Sequence, residues 1–257
     1  MFKVRENCYV PEIFFDVCCN QDVNGEHSVL KKIISQSPDK SAAIFDIGAR
    51  NSKFPTFSDT HSFHLFDPKF IYEPGVDYSK SIINEAALNS TDCTLDSYCE
   101  KNNIDSVEFI KIDTDGYDID VLQGAINTIK KTKYIQIEYD IFYLFHKLDV
   151  SLLYKLLEGF LIYKVTPFGL IKVDSIKENY IYSNYLFSRE EFSIDPPELN
   201  EEFFKGIFYE IDPGTIKSAF EKVDHPFYKE PMYVDTKQFL RGYFAQYLPG
   251  FINTLPL

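Results

Sequence analysis

Residues 94–124, TLDSYCEKNNIDSVEFIKIDTDGYDIDVLQG, contain the pattern that decides the fold. Their middle part, Val107–Ile112, alternates and is rich in β-formers, which predicts a strand. The strand is followed by two carboxylates, Asp113 and Asp115, and by a glycine. Beyond that glycine, apolar residues at helical spacing over residues 119–129 predict a single helix. Because open α/β sheets bind ligands at the carboxyl ends of their parallel strands, the stretch also predicts a binding site.

Further apolar segments predict the other strands of the sheet. They lie at residues 42–47, 62–66, 81–84, 134–138, 161–165, 170–173 and 182–187. Helical patterns separate the earlier segments, whereas a Pro-Phe-Gly turn joins two of the later ones in a hairpin. Strands that alternate with helices and end in a hairpin predict an α/β fold, with a mostly parallel sheet and an antiparallel edge.

The 257 residues suffice for one large domain with extensions at its ends. We predict an N-terminal helical or irregular segment over residues 1–40, a main domain over 41–190 and an extension over 191–257. The extension is rich in Phe and Tyr, and so much aromatic surface is expected to be buried. We expect it to pack on the main domain, to cover the site as a lid, or to form a homodimer interface.

The composition excludes several classes of protein. A net charge of −13 argues against a broad nucleic-acid-binding face. The absence of an apolar run of about 18 residues predicts that no segment spans a membrane. The five cysteines form an odd set without a CxxC pair, which favours reduced thiols and a cytoplasmic location, and no metal site is predicted.

A second candidate site motif is IFDIGA at residues 44–49. A strand that ends in Asp46 and then Gly48 lets the backbone approach a ligand closely. Asp67 follows the next strand about 20 residues later, a spacing that suits a carboxylate bound to ribose hydroxyls. Many dinucleotide-binding and S-adenosylmethionine-binding domains share this pattern, and a buried aspartate that caps a helix produces it too.

The order of FDIGA, LFDP, TLDSY, FIKIDTDGYDIDVLQGA, YIQIEYD and NYLF is more specific. Over residues 41–188 it resembles the FkbM-type methyltransferases. The resemblance implies S-adenosylmethionine as cofactor and a Rossmann-like class I methyltransferase fold with a mostly parallel seven-stranded sheet. It also implies O-methylation of a hydroxyl on a glycan or a sugar-linked small molecule.

The resemblance further implies which residues bind the cofactor. Asp67 would bind the ribose hydroxyls, and Asp113 would lie beneath the transferring methyl group. The loop after the first strand would hold the methionine part, and the segment after the third strand would lie near the adenine. The implied cofactor-binding residues are Asp46, Gly48, Ala49, Arg50, Asp67, Glu85, Ala86 and Asp113.

Methyl transfer to a sugar hydroxyl needs a base, because the hydroxyl is a poor acid. Asp113 and Asp115 are the candidates for base and acceptor alignment, with Glu138 as the third. Lys111 lies one strand alternation before Asp113 and would keep it ionised. His146 is a further candidate for a base or a substrate contact.

Two alternatives remain at this point. Arg50 stands where the family has Asn, and Ser52 where it has a second Gly. Either Arg50 contacts the methionine carboxylate, or the loop no longer binds cofactor and the domain is a lapsed binding or scaffold module. Asp113-x-Asp115 also fits the DxD motif of metal-dependent glycosyltransferases.

Overall fold

The computed structural model describes residues 2–5, 8–10, 21–22, 24–140, 142–176 and 182–195. Its strands are β1 (Phe2–Arg5), β2 (Cys8–Val10), β3 (Ala43–Ile47), β4 (Ser62–Phe66), β5 (Ser81–Asn84), β6 (Val107–Ile112), β7 (Thr132–Tyr139), β8 (Leu161–Thr166), β9 (Gly169–Val173) and β10 (Ser183–Ser188). Its α-helices are α1 (Glu26–Gln36), α2 (Leu95–Lys101), α3 (Asp118–Gln123), α4 (Ile126–Lys130), α5 (Phe142–Phe145) and α6 (Val150–Leu156). The lid, packing and dimer roles predicted for the aromatic extension fall on residues after 195, outside the described residues.

Eight of the described strands form one sheet, in the order β5-β4-β3-β6-β7-β10-β8-β9. The ladders from β5 to β7 are parallel, and those from β7 to β9 are antiparallel. The predicted α/β fold with an antiparallel edge is thus confirmed. The sheet has eight strands rather than seven, because the second strand of the hairpin, β9, also pairs with it. The β1–β2 hairpin is separate.

Helices cover both faces of the sheet, which explains why the central strands are apolar on both sides. Every residue of β3 and of β6 is buried. On one face α1 packs through Val29, Leu30 and Ile33. On the other face α2, α3, α4 and α6 pack through residues that include Leu95 and Leu122. Among the described residues, none of the helices combines the length and apolarity needed to cross a lipid bilayer.

The single helix predicted over residues 119–129 is wrong, because two helices occupy it. The chain turns at Gly124, where a Cβ atom would lie 2.1 Å from the carbonyl oxygen of Asn89. The new helix, α4, then needs acceptors for its first amides. The Asp96 carboxylate accepts from the amides of Asn127 (2.9 Å) and Thr128 (2.7 Å), and from the Thr128 hydroxyl. The aspartate of the TLD motif is therefore a helix cap.

We expect Asp96→Ala to lower the free energy of unfolding by about 1–2 kcal/mol, because α4 loses its capping carboxylate. Urea denaturation followed by circular dichroism measures the change. The matched control is Asp92→Ala, an exposed carboxylate in the preceding loop, which should change the free energy of unfolding by less than about 0.5 kcal/mol. Equal losses in the two variants would contradict the capping role.

Candidate functional site

The candidate site lies at the edge of the sheet where the parallel strands end. The registers Ile47↔Phe66, Ile47↔Ile112 and Ile112↔Ile137 place the ends of β3, β4, β6 and β7 side by side. The residues predicted from the sequence therefore share this edge. They are Asp46, Gly48, Ala49 and Arg50 at β3, Asp67 after β4, Glu85 and Ala86 after β5, Lys111, Asp113 and Asp115 at β6, and Glu138 at β7.

The loops after β3 and β6 touch each other, and a glycine makes this contact possible. Gly48 has φ +86°, and a Cβ atom on it would lie only 1.6 Å from the carbonyl oxygen of Asp113. The amides of Gly48 and Ala49 both donate to the carbonyl of Phe66, at 2.8 and 3.1 Å. The first loop is thus fixed between the ends of two strands, which explains the glycine of the FDIGA motif.

Ser52, which replaces a glycine of the family pattern, has defined partners in the structure. It is buried and hydrogen-bonds to the Asp46 side chain. Its hydroxyl accepts from the amide of Phe54 (3.3 Å), and its carbonyl accepts from the hydroxyl of Tyr78 (2.7 Å). Arg50, the other departure from the family pattern, is exposed beside this loop. The altered loop is held by hydrogen bonds of its own.

A buried lysine lies at the centre of the site. The Lys111 side chain is 3% exposed, and its Nζ lies 2.7 Å from a carboxylate oxygen of Asp113 and 3.4 Å from one of Glu26. Burial would lower the pKa of Lys111, but the charges of Asp113, Glu26 and Asp46 outweigh it and hold the pKa well above its usual value. The lysine is therefore a cation at neutral pH.

Asp113 and Glu138 are joined by a hydrogen bond and differ in protonation. Burial, the charge of Asp113 and a hydrogen bond to Asp113 raise the pKa of Glu138 well above its usual value. Burial would also raise the pKa of Asp113, but the Lys111 ammonium and the hydrogen bond with Glu138 hold it below its usual value. Glu138 accordingly donates to an ionised Asp113.

The Asp46 carboxyl is buried in the same neighbourhood. Burial raises its pKa to about 6, although the charge of Lys111 and the hydrogen bond with Ser52 act against the rise. Its Oδ1 atom is inaccessible to solvent and has no hydrogen-bond partner among the described residues. A buried acceptor without a hydrogen bond lowers the stability of the fold unless a ligand supplies a donor.

The mouth of the site is formed by residues around Asp115. This residue is exposed, in the left-handed region with φ +52°. Although the residue as a whole is exposed, partial burial of its carboxyl and the charge of Asp113 raise its pKa, which Arg50 acts to lower and Asp67 acts to raise. Arg50 and Asp67 therefore lie near enough to Asp115 for their charges to affect its carboxyl at the mouth of the site.

His146 also lies at this mouth. A Cβ atom on Gly116, which has φ +95°, would lie 2.5 Å from Cδ2 of the histidine. Its ring is exposed and lies 5.2 Å, centroid to centroid, from that of Tyr117, another exposed side chain. The structure thus places His146, a candidate base or substrate contact, at the mouth of the site.

Three carboxylates of the site were missed in the sequence, namely Glu26, Asp118 and Asp140. Asp118 accepts from the amide (3.1 Å) and hydroxyl (3.0 Å) of Thr114, and burial raises its pKa to about 6. Asp140 directly follows β7 and accepts from the amide of Phe142 at 2.8 Å. Burial, and then the charges of nearby aspartates, raise the pKa of Asp140 to about 7. Its place after a strand was a signal that could have identified it, whereas Glu26 carries no such signal.

Possible metal ligands and thiols can be followed in the described part of the chain. Within it, no group of three or more His, Cys, Asp and Glu side chains is arranged to hold a metal ion. Cys93 and Cys99 are free thiols there, and Cys99 is buried. Cys8, Cys18 and Cys19 have side chains outside the described set.

We expect Asp140→Asn to stabilise the protein at about pH 8, where the wild type must ionise a carboxyl that prefers to be neutral. Because the folded-state pKa is raised, this cost is absent below about pH 4 and grows as the pH rises to about 7. The expected gain in the free energy of unfolding is about 1–2 kcal/mol. It is smaller than the rise in the pKa of Asp140 implies, because the side chain is partly solvated. Urea denaturation at both pH values measures it, and a gain that does not depend on pH would contradict it.

A family model described as Methyltransferase FkbM domain matches residues 20–158, more than half of the chain. A comparison with curated protein sequences found no match.

The solved structures that match the chain are distant from it. The METTL16 MTase domain is 9% identical, with 71% of each chain covered and a TM-score of 0.40. The plantazolicin methyltransferase BpumL, in complex with a monoazolic desmethylPZN analog and SAH, is 9% identical, with 70% of this chain and 86% of that chain covered and a TM-score of 0.40. Streptococcus pneumoniae Sp1610 in complex with S-adenosyl-L-methionine is 11% identical, with 87% and 91% covered and a TM-score of 0.35. Because these TM-scores lie below 0.5, the family assignment depends on the family match alone.

Proposed function

Because the chain belongs to the FkbM family of S-adenosylmethionine-dependent methyltransferases, we propose that it methylates a hydroxyl group of a glycan or a sugar-linked small molecule. The cofactor, S-adenosylmethionine, and the general activity follow from the family. The acceptor class is our proposal. The observation that supports it best is an ionised carboxylate, Asp113, at the end of β6 with two carboxyls of raised pKa, Asp115 and Asp140, near it.

The residues present fit the cofactor. The orphaned Oδ1 of Asp46 suits the ammonium group of the methionine part, which would supply the missing donor. Gly48, Ala49 and Arg50 would line the same part of the cofactor. The Asp67 carboxylate would accept from the ribose hydroxyls while its Oδ1 keeps the hydrogen bond from the amide of Lys69 (2.6 Å).

The adenine would lie near the residues that follow β5. Glu85 is exposed and Ala86 is partly buried, so both are accessible to a ligand. The base would contact them beside the ribose carboxylate, Asp67.

The acceptor site would use the carboxylates at β6 and β7. When bound, S-adenosylmethionine supplies an activated methyl group, whose carbon bonds to the acceptor oxygen as the sulfur–carbon bond breaks and the sulfur keeps the electron pair. Asp113, held ionised by Lys111, would align the acceptor hydroxyl. Asp115 would accept its proton, with Asp140 as a second candidate, because a raised pKa suits a general base near neutral pH. Glu138 would stay protonated and donate a hydrogen bond to Asp113.

The alternative functions receive less support. Arg50 still motivates a lapsed binding or scaffold module, but Ser52 is bonded to Asp46 and keeps the loop ordered. A DxD glycosyltransferase would need Asp113 to bind a metal ion, whereas its carboxylate is engaged by the ammonium of Lys111 and the family is one of methyltransferases. The cytoplasmic location, the homodimer and the division at residues 40 and 190 stay predictions.

We expect the protein to bind S-adenosylhomocysteine in the micromolar range, without a requirement for magnesium or manganese. Asp67→Ala should weaken binding by about tenfold or more, because the ribose loses charge-assisted hydrogen bonds. Asp77→Ala is the matched control, since Asp77 forms a similar turn with the amide of Ser79 (2.9 Å) in the following loop. Isothermal titration calorimetry measures both. A folded protein that releases no heat would contradict the proposed function.

We also expect the affinity for S-adenosylhomocysteine to fall as the pH drops below about 6, because Asp46 is then protonated and no longer balances the ammonium group of the ligand. Asp46→Asn should bind more weakly and lose this dependence. Calorimetry across a series of pH values tests it. The same acidic loss of affinity in Asp46→Asn would assign it to another group.

A further inference from the structure

The carboxylate of Glu26 reaches the site from outside the domain predicted at residues 41–190. It is the first residue of α1 and is 2% exposed. Its Oε1 accepts from the side chains of Asn24 (2.5 Å), Asn184 (3.0 Å) and Tyr182 (3.1 Å). Its Oε2 accepts from Gln136 (3.2 Å) and lies 3.4 Å from Nζ of Lys111. Five donors thus converge on one buried carboxylate.

The start of α1 is held in place by the antiparallel part of the sheet. The amide of Glu26 donates to Oδ1 of Asn24 at 3.0 Å. Gly25 has φ +103°, and a Cβ atom on it would lie 2.4 Å from the carbonyl oxygen of Thr166 in β8. Asn184 belongs to β10 and Gln136 to β7. The position of Glu26 is therefore set by β7, β8 and β10, of which only β7 contributes a residue, Glu138, to the candidate site.

Lys111 depends on the carboxylates around it. A buried ammonium is stable only when carboxylates and hydrogen bonds replace its hydration, and removal of one partner leaves a charge that is not compensated. Carboxylate oxygens of Asp113 and Glu26 lie 2.7 and 3.4 Å from Nζ. Without Glu26, the ammonium would be left to Asp113 and to the nearby carboxyl of Asp46. Both of these carboxylates belong to the proposed cofactor and acceptor site.

We propose that Glu26 is a positioning residue of the methyl-transfer site, which fixes Lys111 and through it the carboxylates of Asp113 and Asp46. This inference rests on the proposed function for the meaning of those two carboxylates. It makes the N-terminal helix part of the working site. It also connects that site to β8 and β10 through the contacts of Asn24, Gly25 and Asn184.

The test follows the titration of Asp46 in the protein without ligand. Carbon-13 NMR of aspartate-labelled protein records it, with the resonance assigned by Asp46→Asn. The charged groups that bear on Asp46 are Glu26 from α1, Lys111 from β6 and Asp113 directly after it, and the titratable Glu138 of β7 is bound to Asp113. In Glu26→Gln we expect Asp46 to titrate about one pH unit lower, because a negative charge is lost and Lys111 is left to the other carboxylates.

Two further variants make the test specific. Glu26→Asp keeps the charge but is one methylene shorter, and we expect a smaller shift in the same direction, since the carboxylate no longer reaches Lys111. It also carries the test if Glu26→Gln fails to fold. Glu108→Gln is the matched control, because Glu108 is also a buried carboxylate paired with a lysine, Lys133, at 3.2 Å. This pair joins β6 to β7 at the end of the sheet opposite the candidate site. The control variant should leave the titration of Asp46 unchanged.

Calorimetry with S-adenosylhomocysteine then separates this inference from the proposed function. The acidic loss of affinity should move to lower pH in Glu26→Gln and stay in place in Glu108→Gln. Asp46 that titrates as in the wild type in every folded Glu26 variant overturns the positioning role, even if binding is intact. A wild-type protein that binds no S-adenosylhomocysteine overturns the proposed function instead.

Discussion

The ion pair between Lys111 and Asp113 is the interaction on which the rest of the site depends. Removal of an ammonium from water costs several kcal/mol, and only close carboxylates offset that cost. Lys111 is buried between Asp113 at 2.7 Å and Glu26 at 3.4 Å. Because one partner follows β6 and the other begins α1, the same charge that orients the strand-end carboxylate also draws the N-terminal helix to the sheet.

The charge of Lys111 also affects which carboxyl groups of the site are ionised. It keeps Asp113 ionised and acts against the rise in the pKa of Asp46, which nevertheless reaches about 6. Burial and the charge of Asp113 raise the pKa of Glu138, which keeps its proton, and burial raises the pKa of Asp140 to about 7. A site in which neighbouring carboxyls are driven apart in pKa holds an ionised group for alignment, Asp113, beside a group able to accept a proton, Asp140. Such a division suits methyl transfer to a hydroxyl.

The helix predicted over residues 119–129 is wrong because of contacts between segments distant in the chain. The helix after Asp113 breaks because the carbonyl of Asn89 fills the space beside Gly124 and Asp96 caps a new start. Ser52, which stands where the family has a glycine, is hydrogen-bonded to the buried carboxyl of Asp46 in the same loop. The pairing of β9 with β8 is the hairpin predicted from the sequence.

The sequence by itself determined the strands, since burial on both faces leaves apolar runs, and it determined the carboxylates at their ends, since parallel strands bring those ends together. Asp46, Asp67, Asp113 and Glu138 follow from these local patterns and from the family motifs. Only the tertiary structure decided that Glu26 completes the surroundings of Lys111, because periodicity describes neighbours within one element. The packing of Gly25 on β8, which directs Glu26 to the lysine, arises from contacts that no local pattern records.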